Sequence, residues 1–177
     1  MNKKQWIFAV LLVILLAVGL WVWQSFSQPR IAVTDFNSCA AAGRPIMESY
    51  PRQCRYGSQT FTENIGNALE KTNLIQATNP APNQQITSPL TITGQAVGGW
   101  YFEASFPVEL FDVSNNMLAS GVAQAQSNWM TTNFVPFAAT LNFAAQPANS
   151  AGTLVLSKDN PSGLPQNDDS LTVPVTF

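Results

Sequence analysis

After Pro89 the sequence falls into a period of two, and that period most constrains what the chain can become. Leu90, Ile92, Gly94 and Ala96 alternate with Thr91, Thr93 and Gln95, and Phe106, Val108 and Leu110 with Pro107 and Glu109. Phe137, Ala139, Leu141 and Phe143 repeat the pattern, as do Leu171, Val173, Val175 and Phe177. Side chains on an extended chain point alternately to opposite faces, so each run is a half-buried strand. Met117–Ala125 and Thr153–Ser157 read as further strands with poorer alternation, and Ser114-Asn115-Asn116 as a hairpin turn, because Asn tolerates the left-handed region. A series of short strands separated by turn signals, with no convincing helix among them, predicts an all-β sandwich. Pro174 lacks a backbone donor, which places the last strand at an edge or leaves it paired on one side only.

Residues 77–89 carry three prolines and a run of amides, a stiff polar approach to that domain. The expected division is therefore 1–27, 28–78 and 79–177. The middle segment holds both cysteines, Cys39 and Cys54. In an oxidising compartment they suit a disulfide closing a loop of about 15 residues, worth ~3 kcal/mol in the chain-entropy model. Two unpaired thiols are the alternative. Asn64–Ile75 is expected as a short helix, with Ile65, Ala68, Leu69 and Thr72 spaced by three and four. The segment is too small to bury a core alone and is expected to depend on its bridge or on its neighbour.

The first segment decides where these parts work. Eighteen residues from Trp6 to Trp23 carry no polar side chain, and as a helix they would span about 27 Å, close to the ~30 Å core of a bilayer. Lys3 and Lys4 precede the run and Arg30 follows it, so the positive-inside rule leaves the N-terminus in the cytoplasm and exports the rest. Trp6, Trp21 and Trp23 stand at the two ends, where amphipathic rings favour the headgroups. The competing reading is a cleaved signal peptide with Ser25-Phe26-Ser27 as its site. The run is longer than the usual signal-peptide core of about 7–15 residues, which favours an uncleaved single-pass anchor.

Composition narrows function by exclusion. From Gln28 onward six basic residues stand against ten acids, a net charge of −4. After Pro80, Lys158 is the sole cation against Glu103, Glu109, Asp112, Asp159, Asp168 and Asp169. Such a surface cannot neutralise a phosphate backbone, so nucleic acid is excluded as a partner. The sequence has no histidine, which removes the commonest general base and the commonest zinc ligand. No cofactor is expected.

The strand-forming stretches also carry a resemblance. Ile86–Ala96, Trp100–Phe106, Val135-Pro136-Phe137, Gly152–Leu156, Asn160–Pro165 and Val173-Pro174-Val175 together resemble the bacterial spore germination immunoglobulin-like domain family across residues 82–177. The resemblance implies an immunoglobulin-like sandwich on the outside of a bacterial membrane and transfers no catalytic residue. Similar domains occur in bacteria that make no spores, so a germination role does not follow. The cysteine segment is similar, through Asp35-Phe36, Pro45–Pro51 and Thr60-Phe61, to a two-cysteine motif of exported bacterial proteins to which no activity attaches.

Three constellations bear on chemistry. Glu103 and Glu109, six apart on one strand, would lie roughly 20 Å apart at ~3.3 Å per residue, too far for a glycosidase pair. Trp100, Tyr101 and Phe102, with Trp129 and Met130 elsewhere, form a sugar-stacking platform or protein hot spot if exposed and core if buried; core or domain packing is the favoured reading. Asp159, Asp168 and Asp169, with Asn160 and Asn167, offer oxygen ligands of the kind calcium takes, but match no EF-hand loop and serve equally for turn-making. No catalytic residue and no metal site is assigned. Trp100, Tyr101, Phe102, Asp159, Asp168 and Asp169 are retained as a candidate binding surface. The expected function is a membrane-anchored, non-catalytic binding or assembly module of a bacterial envelope, whose partner is another envelope protein or a wall polymer. The alternative is an envelope hydrolase or an accessory subunit of one, acting on cell wall or spore coat.

Overall fold

The computed structural model describes residues 32–177, together with Trp6, residues 14–16 and Val18. The expected anchor, Trp6–Trp23, lies almost wholly outside the described residues, as does Ser25-Phe26-Ser27. Among the described residues no helix is long and apolar enough to cross a membrane. The described residues form two compact units, one holding those up to Glu48 with Gln53–Phe61, the other Ser49–Arg52 with Thr62–Phe177.

The smaller unit is built on its bridge. Helix α1 (Phe36–Ala41) starts at Asp35, whose carboxylate accepts from the Ser38 N–H at 2.7 Å while the Ser38 hydroxyl accepts from the Asp35 N–H at 3.0 Å. This reciprocal cap satisfies two donors that the first helical turn leaves open. It also holds the Asp35 carboxyl below its usual value, chiefly through the Ser38 backbone bond. Cys39 on α1 is bonded to Cys54 on strand β2 (Gln53–Tyr56), and both are fully buried with Phe36. Strands β1 (Ile46–Met47) and β3 (Gln59–Thr62) flank β2. Among the described residues, Phe36, the two cysteines and partly buried Val33 and Phe61 make up the hydrophobic cluster here. So small a core cannot offset the ordering of its backbone unaided, which is why the cross-link matters.

The larger unit is the sandwich. Its strands are β4 (Ile75–Asn79), β5 (Leu90–Val97), β6 (Ser105–Asp112), β7 (Met117–Ala125), β8 (Phe134–Leu141), β9 (Ala151–Ser157) and β10 (Ser170–Thr176). The hydrogen-bonded order is β10-β9-β6-β7-β8-β5-β4, every neighbouring pair antiparallel. The link between β7 and β8 is only two residue pairs long, Gln124–Ala138 and Ala125–Phe137, and there the sheet folds back on itself. Phe106 on β6 and Phe137 on β8 meet edge to face at 5.0 Å. Two strands separated by a third in a flat sheet stand nearly 10 Å apart, so these rings touch across two layers. The layers are β10-β9-β6-β7 and β8-β5-β4, and the apolar residues of the period-two runs fill the space between them.

The outer edge of β10 is covered along its length. Residues 83–86 leave the β4 layer and lie parallel to β10: the Asn83 N–H donates to the Pro174 carbonyl at 2.7 Å, the Ile86 N–H to the Thr176 carbonyl at 2.8 Å, and the Thr176 N–H to the Gln84 carbonyl at 3.0 Å. Pro174 thus faces its missing donor outward, as expected of an edge strand. Further along β10, the Asn67 side chain stands in for a neighbouring strand. Its amide donates to the Ser170 carbonyl at 2.9 Å and accepts from the Thr172 N–H at 2.8 Å. Gly66 has a φ of +65°, and a Cβ there would lie 1.9 Å from the Thr172 oxygen, so only glycine brings Asn67 to this edge.

The sandwich unit begins earlier than the composition of residues 77–89 implies. β4 runs into that stretch, and residues 62–74 pack with the sandwich. The expected helix over 64–75 shrinks to α2 (Ala68–Lys71), because Gly66 turns the chain onto β10 and Ile75 is drawn into the core as the first residue of β4. Glu63, also on this stretch, is buried and held by two bonds from Arg52, Nη2 to Oε1 at 2.6 Å and Nε to Oε2 at 2.8 Å. The Arg52 hydrogen bonds hold its carboxyl below the ordinary value of 4.5.

Two outcomes are expected. Changing Cys39 or Cys54 to Ser should cost the smaller unit about 3 kcal/mol, read as a lower melting transition for that unit in calorimetry, with the sandwich transition unmoved. Because the Glu63 pKa is depressed in the folded state, its stabilisation is present above 4.5 and is lost as the pH falls from there through the folded value. Glu63→Gln should flatten the fall in sandwich stability over that acidic range, measured by denaturant titration at a series of pH values.

Candidate functional site: the loop end of the sandwich

Alternating antiparallel strands send three connections to one end of the sandwich. These are residues 98–104 between β5 and β6, 126–133 between β7 and β8, and 158–169 between β9 and β10. Two contacts hold them together. The Asp159 N–H donates to the Trp100 carbonyl at 3.0 Å. Gly98 is buried, and a Cβ there would stand 1.9 Å from the Thr131 oxygen and 2.2 Å from the Trp129 oxygen. Glycine at 98 is thus what lets the second loop lie on the first.

The structure brings together two stretches that are far apart in the sequence, Trp100–Phe102 and Asp159–Asp169, and gives their members different tasks. Trp100 is 1% exposed and Tyr101 4%, so both rings belong to the core and neither offers a face to a partner. The Tyr101 ring stands edge-on to Phe106 at 5.2 Å, and its hydroxyl donates to the Val135 carbonyl at 2.7 Å. Burial pushes the phenol up to about 12. The Trp100 indole N–H has no hydrogen-bond partner among the described residues, so the ring contributes through packing. Phe102, at 41%, is the exposed member of the three.

Phe102 opens a two-residue turn in which Phe102 and Ser105 exchange backbone bonds at 3.0 and 3.1 Å. The central residues, Glu103 and Ala104, have φ of 50° and 63°. A type I′ connection demands that conformation, and Asn-Gly usually supplies it. Glu and Ala accept it at a cost of about 1 kcal/mol or more each. Glu103 therefore sits on a turn and not on the strand with Glu109, so the separation expected from one extended run does not describe the pair.

The β9–β10 loop is braced from within. Asn160 donates to the Leu164 carbonyl at 2.9 Å and to Asp168 Oδ1 at 2.7 Å, and Asn167 donates to the Ser162 hydroxyl at 2.9 Å. Lys158 and Asp169 close its base through a backbone bond at 2.8 Å. The Asp169 carboxylate receives the Lys71 ammonium at 2.5 Å and the Ser170 N–H at 2.8 Å. Asp168 and Asp169 also line a polar hollow of about 480 Å³ with Asn67, Lys71, Ser157, Lys158 and Ser170, in which two cations face two carboxylates. This balanced charge, with both acids hydrogen-bonded to protein groups, makes the loop a rigid turn system. A loop fixed before binding loses little entropy when a partner arrives.

Of the apolar side chains that this end displays, the sequence pointed to Phe102 and, beside Trp129, to Met130, but not to Phe134 or Leu164. Met130 (75% exposed), Leu164 (49%) and Phe134 project with Phe102 from the three loops and the start of β8. Trp129, its neighbour, is partly buried against the core. Periodicity carries no signal for Leu164 because loops have none, and Phe134 precedes the first residue whose alternation marks β8.

Residues 74–164, just over half of the 177-residue chain, match the family described as the immunoglobulin-like domain of bacterial spore germination. The match starts at the approach to β4 and ends inside the β9–β10 loop, so it takes in the connections that form the loop end. No curated protein and no solved structure matches the chain.

Two substitutions test this geometry. Ala104→Gly should stabilise the sandwich by about 1 kcal/mol, because glycine adopts the left-handed conformation freely; a loss of stability on denaturant titration would contradict the strain assigned to this turn. Tyr101→Phe should cost about 1 kcal/mol on denaturant titration by removing the hydroxyl's bond to the Val135 carbonyl, which keeps its place in the β5–β8 ladder.

Proposed function

We propose that this chain, which belongs to the family of immunoglobulin-like domains of bacterial spore germination, is a membrane-anchored binding or assembly module of a bacterial envelope that works through the loop end of its sandwich. The carrying observation is the display of Phe102, Met130, Phe134 and Leu164 on connections fixed by Gly98, the Asp159–Trp100 bond and the Asn160 network. Apolar anchors set among uncharged polar groups, on a rigid scaffold, are what a protein interface needs at its centre. Few of the surrounding residues carry a charge that association would have to strip of water. The partner that suits this surface is another envelope protein or a wall polymer.

Membrane attachment is part of the proposal. It is supported by the length of the Trp6–Trp23 run, by Lys3 and Lys4 ahead of it, and by the helical, exposed state of Trp6, Ile14, Leu15, Leu16 and Val18. A non-catalytic role is supported by a sequence without histidine and by the engagement of Asp168 and Asp169 in the loop structure. An envelope hydrolase is the rival reading.

Three measurements separate these readings. The protein should remain in the membrane after alkaline carbonate washing, whereas recovery of a soluble form beginning near Gln28 would remove the anchor. Replacing Phe102, Met130 and Leu164 by Ser should abolish capture of envelope components by the full chain. The same number of changes at the opposite end, at Val113, Asn115 and Gln146, should leave capture intact. A hydrolytic activity that tracks the purified protein and disappears when one carboxylate is changed would overturn the binding-module reading.

A further inference from the structure

The smaller unit is short of core, yet it keeps large apolar side chains outside. Phe36, the disulfide and partly buried Val33 and Phe61 fill its interior. Ile46 (42% exposed), Met47 (41%) and Tyr56 (40%) stand in solvent on the hairpin of β1 and β2. A unit with so little to bury gains no stability from leaving three such groups in water.

The hairpin register shows how these groups are set out. Ile46 lies opposite Cys54 and Met47 opposite Gln53, and the Arg55 N–H donates to the Pro45 carbonyl at 3.3 Å. Continuing the ladder sets Arg44 opposite Tyr56, and the guanidinium does stack on that ring, 4.8 Å from its centroid. Arg44, Ile46 and Tyr56 therefore share one face of the hairpin, and Met47 and Arg55 share the other. β1 is the outermost strand of its sheet, so the two faces meet along one edge. Each brings to that edge an exposed apolar side chain and an exposed arginine. Glu48 is the acid that follows Met47.

We propose that this edge lies on the anionic headgroups of the membrane that holds the chain, with Ile46, Met47 and Tyr56 in the interface and Arg44 and Arg55 on lipid phosphates. The proposal rests on the membrane attachment proposed above. Three features select a lipid surface as the occupant. In the sequence, residues 24–31 are all that separate Trp23, the end of the apolar run, from the described chain at Ala32. Fully extended they reach at most about 30 Å, so the smaller unit is held close to the headgroups at high effective concentration. The charge is also divided along the chain. All the arginines lie in residues 30–55, whereas every acid except Asp35 and Glu48 lies beyond Thr62, against Lys71 and Lys158. Cations thus gather in the part nearest the apolar run, where an anionic surface attracts them. The side-chain types agree as well. Arginine offers phosphate a planar fork, tyrosine is apolar with one polar tip, and Ile and Met add area that the acyl boundary accepts.

The experiment places the full chain in vesicles of phosphatidylcholine alone and of phosphatidylcholine mixed with phosphatidylglycerol, both containing brominated lipid as a quencher. Cys39 and Cys54 are joined and buried, so a polarity-sensitive fluorophore on Met47→Cys reports alone. In the mixed vesicles its emission should shift to the blue and be quenched, and in the neutral vesicles it should stay close to its value in water. Arg55→Gln should weaken the contact about five-fold, and rising ionic strength should release it. Arg44→Lys and Arg55→Lys should keep it, which separates a lost charge from a folding defect. Retention of the chain after alkaline carbonate reads the anchor without the hairpin. A chain that carbonate strips from both kinds of vesicle overturns the anchor, and this proposal with it. A retained chain whose probe responds equally in both, responds in neither, or ignores Arg55→Gln overturns the hairpin contact alone. So does a probe that responds only when envelope proteins are added, which assigns the edge to a protein partner.

Discussion

The structure depends on the contact of two aromatic rings across two layers. Phe106 on β6 and Phe137 on β8 meet where the sheet folds over, and Tyr101 packs edge-on against Phe106. All three lie in the cluster that β5, β9 and β10 complete with Ile92, Leu154, Leu156, Leu171 and Val173. Removing such rings from water is the main favourable term in folding, and each must come from a strand whose other face is wet. The period-two runs therefore do more than define strands. They oblige the strands to form two layers, and the antiparallel connections then deliver three loops to the same end.

Residues whose placement follows from periodicity were legible. β5 and β10 lie where the alternation puts them, β7 spans the poorly alternating run Met117–Ala125, and Pro174 faces off an edge as its missing donor requires. β4 was hidden because it is short, bulged between Ala77 and Asn79, and followed at once by prolines that read as a linker. The helix expected over 64–75 failed because Gly66 and Asn67 answer to a long-range demand, the open edge of β10, and no local pattern announces such a demand. The candidate surface was legible in its segments but not in its side chains. Trp100 and Tyr101 are core, while Met130, Phe134 and Leu164 are the groups on display. Burial of a ring next to a turn is decided by the opposing layer, which sequence spacing cannot show.

The two compact units solve the same problem with different means. The sandwich buries enough apolar surface to stand on packing, with Glu63 tied to Arg52 and Asn83 at its margin. The smaller unit has a handful of buried side chains and relies on one covalent link between α1 and β2. In both, polar groups at the ends and edges are satisfied locally, by Asp35 at a helix start, by Asp112 accepting from Ser114 and Asn116 at the β6–β7 turn, and by Asn67 at β10. Against that background of closed edges and braced turns, the exposed apolar side chains of the loop end stand out as the part of the sandwich that is not explained by its own stability.

Hydrogen exchange on the full chain, read segment by segment with and without envelope membranes, reports which face of the sandwich meets a partner. Added envelope should slow exchange in residues 98–104, 126–133 and 158–169 together, since one end of the sandwich presents all three. Protection confined to the smaller unit, or to the opposite connections at 112–117 and 142–150, would contradict it.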